Sequence, residues 1–414
     1  MKVTGRFYER WIVVGGVFIS YSCWGISRHL LPYVVPSMET GLSLTHEPMG
    51  NIASAYFMAY TIMSFVWGII TDRIGPRRCM LIGLSVLIIG LTGMGFMSSV
   101  ATGSLFYFLC GAGAAGQSVP LVRLISDWFG RTKRGTALGI VMAGGGVTTT
   151  TLGLIVPGIL ASYSWQLIWW LGAAYVFLSG LVCWFVLVET PVVGGLSRIP
   201  VSDGEATASS IKPLEIGPTA PRASIKKILR LGTVWNMGGI YFGHGVGYSI
   251  FVTFAVAYLQ ETGWGFQAAA GVMAIWGALI IPGHILWGMT ADRLNKKYLL
   301  VTTVAMELIG IVIFLSGSTA GGYIGAAVIS AGTVGIPTLV SVSAADYYEP
   351  TTIGTAYGFI TLLFGVGAII GPTIGGAIGD ATGTLFTSML SSLGAILLAA
   401  IMALILKSPP RPER

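Results

Sequence analysis

Charged residues are scarce in this chain of 414 residues. Asp, Glu, Lys and Arg make up 9% of it, whereas the hydrophobic set AVILMFWYC makes up 54%. Soluble proteins carry about 25% charged residues, and so few charges cannot cover the surface of a soluble protein of this length. The composition therefore excludes a soluble globular domain and predicts a polytopic membrane protein.

Cysteine is scarce as well, with four residues in the chain. None forms a CxxC pair or a metal-ligand spacing, so we expect packed thiols and no metal site. The sequence also lacks a P-loop, an HExxH motif and a nucleophile–base constellation, which argues against an enzyme and against an ATP-driven pump. The pattern G-x-G-x-x-G at 111–116 lies within an apolar run and not after a strand, so close helix packing explains it better than a dinucleotide site. We expect no cofactor.

Apolar runs long enough to cross a bilayer are abundant. A hydrocarbon core needs about 20 apolar residues per helix, and twelve runs of that length occur. They lie near residues 11–35, 49–70, 79–98, 104–126, 135–160, 166–188, 234–258, 267–290, 298–317, 321–345, 353–377 and 382–406. The long polar stretch between the sixth and seventh runs is rich in Ser, Pro, Gly, Lys and Arg. We predict an all-α membrane protein with a six-helix bundle at 1–189, a linker at 190–230 and a second six-helix bundle at 231–414.

The basic residues predict the orientation of these spans. The chain has 23 Lys and Arg residues, and all except Arg28 and Arg123 fall at the termini, in the linker or in alternate loops. Basic loops stay in the cytoplasm, so we expect both termini to be cytoplasmic, in a bacterial-type inner membrane. The same residues form short clusters and no continuous basic face, so the net charge of +7 does not indicate a nucleic-acid partner.

The two halves of the chain repeat one another. The segment 67–73 (WGIITDR) matches 287–293 (WGMTADR), and 135–139 (GTALG) matches 354–358 (GTAYG) at nearly the same offset. Two separate matches of this kind indicate duplicated, pseudo-symmetric halves related by an axis along the membrane normal.

The loop after the second span carries a recognisable pattern. Residues 68–78 read G-x-x-x-D-R-x-G-P-R-R, which resembles the signature of the major facilitator superfamily, and a twin at 288–297 reads G-x-x-x-D-R-x-x-K-K. The resemblance covers the whole chain, because the signature, the repeat and the twelve spans agree. It implies the major facilitator fold and secondary transport by alternating access, with the substrate near the midplane between the halves.

The resemblance also implies that charges at the cytoplasmic helix ends gate the transport cycle. They are expected to form a network that holds that end closed and breaks when it opens; the alternative is that they only set the topology. The candidates are Asp72, Arg73, Arg78, Asp127, Arg134, Asp292 and Arg293. Gly68, a small residue at the same end, is expected to let helix backbones approach closely.

Two arginines lie within predicted spans, where a charge is costly unless it is paired or faces water. By the resemblance, spans 1, 4, 7 and 10 line the cavity, so Arg28 on span 1 is expected to bind a carboxylate or phosphate there. The alternative is an arginine that extends to the interface with the lipid headgroups. Arg123 on span 4 either lines the cavity or pairs with Asp127 one turn later. Neither has an acidic neighbour at mid-depth on its own span, which favours an anionic substrate.

Histidine and tyrosine side chains within the spans extend the candidate site. His244 and Tyr248 on span 7 share a helix face, and His284 lies on span 8. Each could bind the substrate, and either histidine could exchange a proton near neutral pH; the alternative is simple packing. His29 and His46 are weaker candidates.

Three further features leave the choice between function and structure open. Glu307 on span 9, which the resemblance puts in the outer ring, is either a titrating coupling site or a protonated packing residue. Gln117 on span 4 and the threonines at 148–151 on span 5 either line the cavity as neutral hydrogen-bonding groups or are structurally silent.

The arginine on span 1 and the segment 127–135 resemble bacterial organic-anion porters and the monocarboxylate transporter group. That group carries an Asp and an Arg on span 8, where this chain has Ile280 and His284. If this chain also binds its substrate through a cation, the cation would be Arg28, Arg123 or a protonated His284.

We predict that the chain transports a small organic anion, specifically a monocarboxylate, in symport with protons, and works as a monomer. The alternatives are a drug or sugar efflux protein of the same superfamily and a non-transporting membrane receptor.

Overall fold

The computed structural model describes residues 2–129, 131–188, 229–291, 294–348 and 353–408. Within these ranges the chain forms thirteen α-helices and no β-strand. The helices are α1 (Lys2–His29), α2 (Leu31–Leu42), α3 (His46–Ile74), α4 (Pro76–Gly95), α5 (Val100–Trp128), α6 (Arg131–Leu160), α7 (Trp165–Val186), α8 (Gly232–Glu261), α9 (Phe266–Ala291), α10 (Lys296–Phe314), α11 (Thr319–Tyr347), α12 (Ile353–Thr382) and α13 (Leu385–Ile405).

Eleven of these helices, α3 to α13, are long and apolar enough to cross a membrane. The first predicted span is divided between α1 and α2, which are separated at Leu30. Pro32 accounts for the interruption, because it has no N–H to donate to the carbonyl of Arg28 and its ring crowds that carbonyl. Together α1 and α2 make one more span, so the described residues confirm the predicted all-α fold of twelve spans.

The two bundles have the same internal packing. In the first, α1 packs against α6 and α7, and α4 packs against α5 and α7. In the second, α8 packs against α12 and α13, and α10 packs against α11 and α13. The repeat relates each pair in one bundle to a pair in the other, which is the pseudo-symmetry expected from the sequence. Helix α8 is the most enclosed of the eleven helices α3 to α13, with 94% of its apolar stretch buried.

The largest contacts between the bundles are those of α3 with α12 and of α6 with α9, two pairs that the repeat relates to each other; α2 also packs against α8. Small residues allow the backbones to approach closely. A Cβ added at Gly50 would overlap the carbonyl of Pro372, and one added at Gly146 would lie 2.7 Å from the carbonyl oxygen of Gly277. The same expectation for Gly68 is wrong: among the described residues, no atom lies within 4 Å of a Cβ added there, so none of their backbones packs against it.

The two ends of the bundle differ in charge. We call one the basic end; it carries Arg73, Arg77, Arg78, Lys296 and Lys297. We call the other the acidic end; it carries Glu39, Glu47, Glu261 and Asp380. At the acidic end, Asp380 on α12 accepts hydrogen bonds from the backbone N–H groups of His46 and Glu47 on α3, at 2.8 and 2.9 Å. The two halves are therefore in contact, and the molecule is closed, at its acidic end.

Candidate functional site

The side chain of Arg28 lies where the two halves meet. It belongs to the last turn of α1, just before the interruption at Pro32, and is 6% exposed. Its Nε–H donates to the hydroxyl of Tyr248 on α8 at 2.9 Å. Since α1 and α8 are the first spans of the two repeated halves, this hydrogen bond joins the halves at the centre of the bundle.

Four aromatic rings surround the guanidinium of Arg28. Its Cζ lies 4.8 Å from the ring centroid of Phe57, 5.0 Å from Tyr248, 5.4 Å from Trp24 and 5.5 Å from Tyr60. Such contacts stabilise a cation by about 0.5–2 kcal/mol each, more when the cation is desolvated. Within the described residues, no carboxylate pairs with Arg28, whereas other ion pairs of the molecule are well formed.

The guanidinium therefore retains hydrogen-bonding capacity. Arginine carries five N–H donors, and one of them binds Tyr248. The cavity beside Arg28, which Thr253, Tyr107 and Ala53 help to line, has a volume of about 10 Å³, which is room for one water molecule. A larger solute does not fit in this cavity.

A directional chain of hydrogen bonds runs from Arg28 through Tyr248 to His29 and Thr149. The Thr149 hydroxyl donates its one hydrogen to the carbonyl of Gly145 at 2.9 Å, so it accepts from Nδ1–H of His29 at 2.8 Å. The bare Nε2 of His29 then accepts from the Tyr248 hydroxyl at 3.4 Å, which in turn accepts from Arg28. Thr149 thus determines which nitrogen of His29 carries the hydrogen, and His29 in turn makes the Tyr248 hydroxyl a donor.

The threonines at 148–151 all donate to the carbonyl four residues earlier. Thr148 and Thr150 also lie within hydrogen-bonding distance of the carbonyls of Ser22 and Ala274, at 3.1 and 3.2 Å. Thr149 differs from both because its additional partner is a side chain, His29. The sequence indicated a choice between back-bonding and cavity lining for this run, and the structure shows back-bonding.

His244 and Glu307 form a second buried polar group in the C-terminal half. Nδ1 of His244 on α8 lies 2.9 Å from Oε2 and 3.2 Å from Oε1 of Glu307 on α10. The Thr333 hydroxyl on α11 donates to Oε1 at 3.1 Å. Glu307 thus points inward, toward α8, although the family resemblance put its helix in the outer ring. One proton lies between the two side chains: either the imidazole donates it to a carboxylate, or a carboxylic acid donates it to the imidazole.

Tyr248 links the two groups. It follows His244 by one turn of α8, and the two rings lie 5.7 Å apart between centroids. The His244 ring also lies close to the rings of Tyr241 and Phe364, at centroid distances of 6.0 and 5.8 Å. Arg28, Tyr248, His244 and Glu307 therefore form a continuous series of contacts from the first half into the second.

Gln117 and His284, which were predicted to line the cavity, form hydrogen bonds away from Arg28. The amide of Gln117 donates to the carbonyl of Met80 at 3.0 Å and accepts from Ser20, so it ties helices of the first half together. Ser20 precedes Arg28 by two turns of α1, about 12 Å. His284 on α9 lies 3.3 Å from the hydroxyl of Thr338 on α11, within the second half. Neither residue contacts Arg28.

Arg123 lies at the basic end, where it pairs with Asp72 on α3. Its side chain is 46% exposed, and that of Asp72 is 76% exposed. In the second half, Lys296 pairs with Asp346 at 2.6 Å, between the start of α10 and the end of α11. The sequence placed Arg123 either in the cavity or beside Asp127, and gave no indication that Asp72 would be its partner.

Of the remaining gating candidates, Arg73 and Arg78 are exposed at the ends of α3 and α4, and Asp127 lies in the last turn of α5. Asp292 and Arg293 lie outside the described residues, as does the side chain of Arg134.

Two repeated bundles of six spans, with a buried cation where they meet, are the architecture of a membrane transporter built from two halves. A sequence model of the Major Facilitator Superfamily matches residues 14–335 and 281–414, and the chain belongs to this family. It is therefore a multi-pass membrane transporter of small solutes and not an enzyme, as the sequence predicted.

Several characterised proteins are similar to the chain. It is 24% identical to the hexuronate transporter of Bacillus subtilis (strain 168) over 369 residues, which are 84% of this chain and 82% of that protein. It is 25% identical to the glycerol-3-phosphate transporter of the same organism over 293 residues, which are 68% and 65% of the two chains.

Solved structures confirm the fold. A bacterial homologue of the human lysosomal transporter Spinster, in an inward-facing and unoccupied conformation, matches with a TM-score of 0.76 at 18% identity, over 96% of this chain and 97% of that chain. The nucleoside transporter NupG matches with a TM-score of 0.74 at 14% identity, over 96% and 99%.

Proposed function

We propose that this transporter carries a small organic anion, specifically a monocarboxylate, and that Arg28 binds it. The observation that carries the proposal is the buried guanidinium at the junction of the halves, with no carboxylate partner among the described residues. A buried charge without a counter-ion is costly. A carboxylate would supply that counter-ion through two parallel N–H···O bonds, a geometry that suits arginine.

The names of two similar proteins support an anionic substrate. Hexuronate and glycerol-3-phosphate are both organic anions, and a hexuronate carries a single carboxylate. Both therefore present the kind of group that a guanidinium binds bidentately.

Tyr248 is the second binding residue of the proposal. An anion that approaches the Nε edge of Arg28 competes with the Tyr248 hydroxyl for the same N–H. Binding would therefore replace a hydrogen bond between the halves with one to the substrate. This exchange gives the substrate different interactions in the open and closed conformations, which is the condition for shifting the equilibrium between them.

His244 and Glu307 are proposed to carry the coupled proton. Their side chains share a proton within hydrogen-bonding distance, and Tyr248 connects them with the Arg28 site. An anion bound at Arg28 would lie next to this pair, so anion and proton would be carried together, as symport requires. His284, which is also embedded in the second half, is a further candidate for this role.

The basic end is proposed to hold the cytoplasmic gate. Arg123 already has Asp72 as its counter-ion, so we assign it to the gate and not to the anion. By their position in the signature loops, the other proposed gate residues are Arg73, Arg78, Asp127, Arg134, Asp292 and Arg293. With Gln117 bonded inside the first half, Arg28 and Tyr248 remain as the central binding residues.

The topology inferred from the basic residues remains part of the proposal. Both termini and the linker at 190–230 would lie in the cytoplasm, between bundles at 1–189 and 231–414. The protein would reside in a bacterial inner membrane and work as a monomer.

Uptake into proteoliposomes tests the proposal. With an imposed pH gradient, we expect uptake of a radiolabelled monocarboxylate, such as glucuronate or lactate, and none of glucose. Arg28→Ala should abolish the uptake, and Arg28→Lys should retain part of it, because lysine keeps the charge but loses the planar fork. Arg10→Ala, which removes an arginine from the same helix, is the matched control and should transport normally.

Other outcomes would favour the alternatives. Undiminished monocarboxylate uptake by Arg28→Ala, in protein that elutes as a single species, would contradict the assignment of Arg28. Efflux of cationic dyes that persists in Arg28→Ala would favour a drug exporter. A protein that moves no solute but captures a specific protein partner would favour a receptor.

A further inference from the structure

His46 at the acidic end occupies an unusual position between two carboxylates. Its Nδ1 lies 2.8 Å from Oε1 of Glu39 on α2, and its Nε2 lies 3.1 Å from Oε1 of Glu261 at the end of α8. An ionised carboxylate only accepts hydrogen bonds, and a neutral imidazole has a single N–H. Both bonds can form only if the ring is doubly protonated, or if one carboxyl group carries the proton and donates it to a bare nitrogen.

In either arrangement, the three side chains hold one proton more than a neutral imidazole and two free carboxylates. Glu39 and His46 belong to the first half of the molecule, and Glu261 belongs to the second. The extra proton therefore lies on a bridge between the halves.

The carboxylates around His46 are held in place by both halves. The other oxygen of Glu261 accepts the N–H of Leu385 at the start of α13, at 2.8 Å. Asp380 on α12 caps the N-terminus of α3 through the N–H groups of His46 and Glu47, where a negative charge is favourable. The charged side chains that face His46 are thus Glu39 from α2, Glu261 from α8 and Asp380 from α12, with Glu47 beside it on α3. No Lys or Arg joins this group in the described ranges.

We propose that His46, Glu39 and Glu261 form a proton-binding site that closes the acidic end, and that opening this end releases the proton. Opening must separate α3 from α8 and α12, which breaks the bond from Nε2 to Glu261 and moves Asp380 away. His46 then keeps only Glu39 and binds its proton more weakly. This site is separate from the His244–Glu307 pair, and its action does not depend on the identity of the substrate.

Linkage gives the direction of the effect. The closed form binds the proton more tightly than the open form does. The proton therefore stabilises the closed form fully at low pH, and this stabilisation is lost as the pH rises through the range in which the site deprotonates. Across that range the ratio of open to closed molecules should rise by up to about tenfold per pH unit, the limit for one linked proton.

Distance measurements between spin labels test the site without any substrate. Thr40→Cys on α2 and Thr262→Cys after α8 place labels on exposed positions of the two halves, and the four native cysteines are buried. Between pH 5 and pH 10, we expect the population with a long label separation to grow with pH. His46→Gln, which keeps a donor and an acceptor but takes up no proton, should abolish this pH response.

Two further variants keep the test decisive. Glu261→Gln removes the carboxylate of the second half and should flatten the pH response, even if His46→Gln fails to fold. Glu47→Gln removes a carboxylate at the same end that does not contact the imidazole, and its response should match that of the parent protein. An unchanged response in His46→Gln or Glu261→Gln, or no response in the parent, would overturn the proposal.

Discussion

The Nε atom of Arg28 lies 2.9 Å from the hydroxyl oxygen of Tyr248, and this hydrogen bond crosses from the first repeat to the second. The guanidinium that is proposed to bind the substrate therefore also holds the halves together at mid-depth. Any motion that separates α1 from α8 at this level must break the bond. Substrate binding and conformational change thus depend on the same pair of residues.

Tyr248→Phe should destabilise the protein and make its stability more sensitive to anions. The variant keeps the ring over the guanidinium but leaves a buried N–H without an acceptor, which costs about 1–3 kcal/mol. Thermal denaturation should show a lower midpoint, and added glucuronate should restore part of it, because the carboxylate can accept the free N–H. Tyr241→Phe, on the same helix but outside this hydrogen bond, is the control. Equal midpoints for both variants would contradict the assigned role of the hydroxyl.

Glu307→Gln should uncouple transport from the proton gradient. The amide is close to isosteric with the carboxyl group and can still hydrogen-bond to His244 and Thr333, but it cannot ionise. We expect uptake driven by a pH gradient to fall to the level seen without one, while exchange of substrate across the membrane continues. The measurement is the ratio of the rate of gradient-driven uptake to the rate of substrate exchange. Gradient-driven uptake at the parent rate would remove Glu307 from the coupling mechanism.

The ion pair of Asp72 and Arg123 should matter for transport rate more than for stability. Both side chains are substantially exposed, and exposed pairs contribute about 0–1 kcal/mol. Asp72→Asn and Arg123→Gln should therefore change the free energy of unfolding by less than about 1 kcal/mol, yet slow transport if the pair forms the gate. A double-mutant cycle on transport rates measures the coupling; strictly additive effects would show that the two residues act independently.

Gly50→Ala should lower the thermal stability of the protein, whereas Gly68→Ala should leave it unchanged or raise it. A methyl group at Gly50 would overlap the Pro372 carbonyl, a backbone atom with little freedom to move. Overpacking of this kind costs about 1–3 kcal/mol, and it acts on the contact that closes the acidic end. At Gly68 a methyl group meets nothing within 4 Å, and alanine favours a helix over glycine by about 0.5–1 kcal/mol. Thermal midpoints should fall for the first variant and hold or rise for the second.

The sequence was sufficient to predict the fold, because the apolar runs are long and the two halves repeat one another. Twelve apolar runs and the match of 67–73 with 287–293 specify the spans and the two bundles without any knowledge of packing. The interruption after Arg28 could also have been read from Pro32. An arginine inside an apolar span identifies a candidate site by the cost of burying it.

The partners of these residues could not be predicted in the same way. Tyr248 meets Arg28 across a boundary between halves that no local pattern encodes. His244 and Glu307 were separate candidates on different spans, and only the folded structure brings their side chains together. Arg123 was expected either in the cavity or beside Asp127, and its pair with Asp72 was not foreseen, since the sequence shows neighbours along a helix but not those between helices. His46 had low priority as a loop histidine for the same reason.

Equilibrium binding to Arg28 is the most direct test of the account. A panel of labelled monocarboxylates should yield a ligand of the purified protein, and its uncharged analogue should bind far more weakly. Replacing a charged hydrogen-bond partner costs about 1.5–3 kcal/mol, so Arg28→Gln should weaken binding of the anion by about 10- to 100-fold and leave the uncharged analogue unaffected. Equal affinity of the parent and Arg28→Gln for the anion would contradict the claim that this guanidinium recognises the substrate.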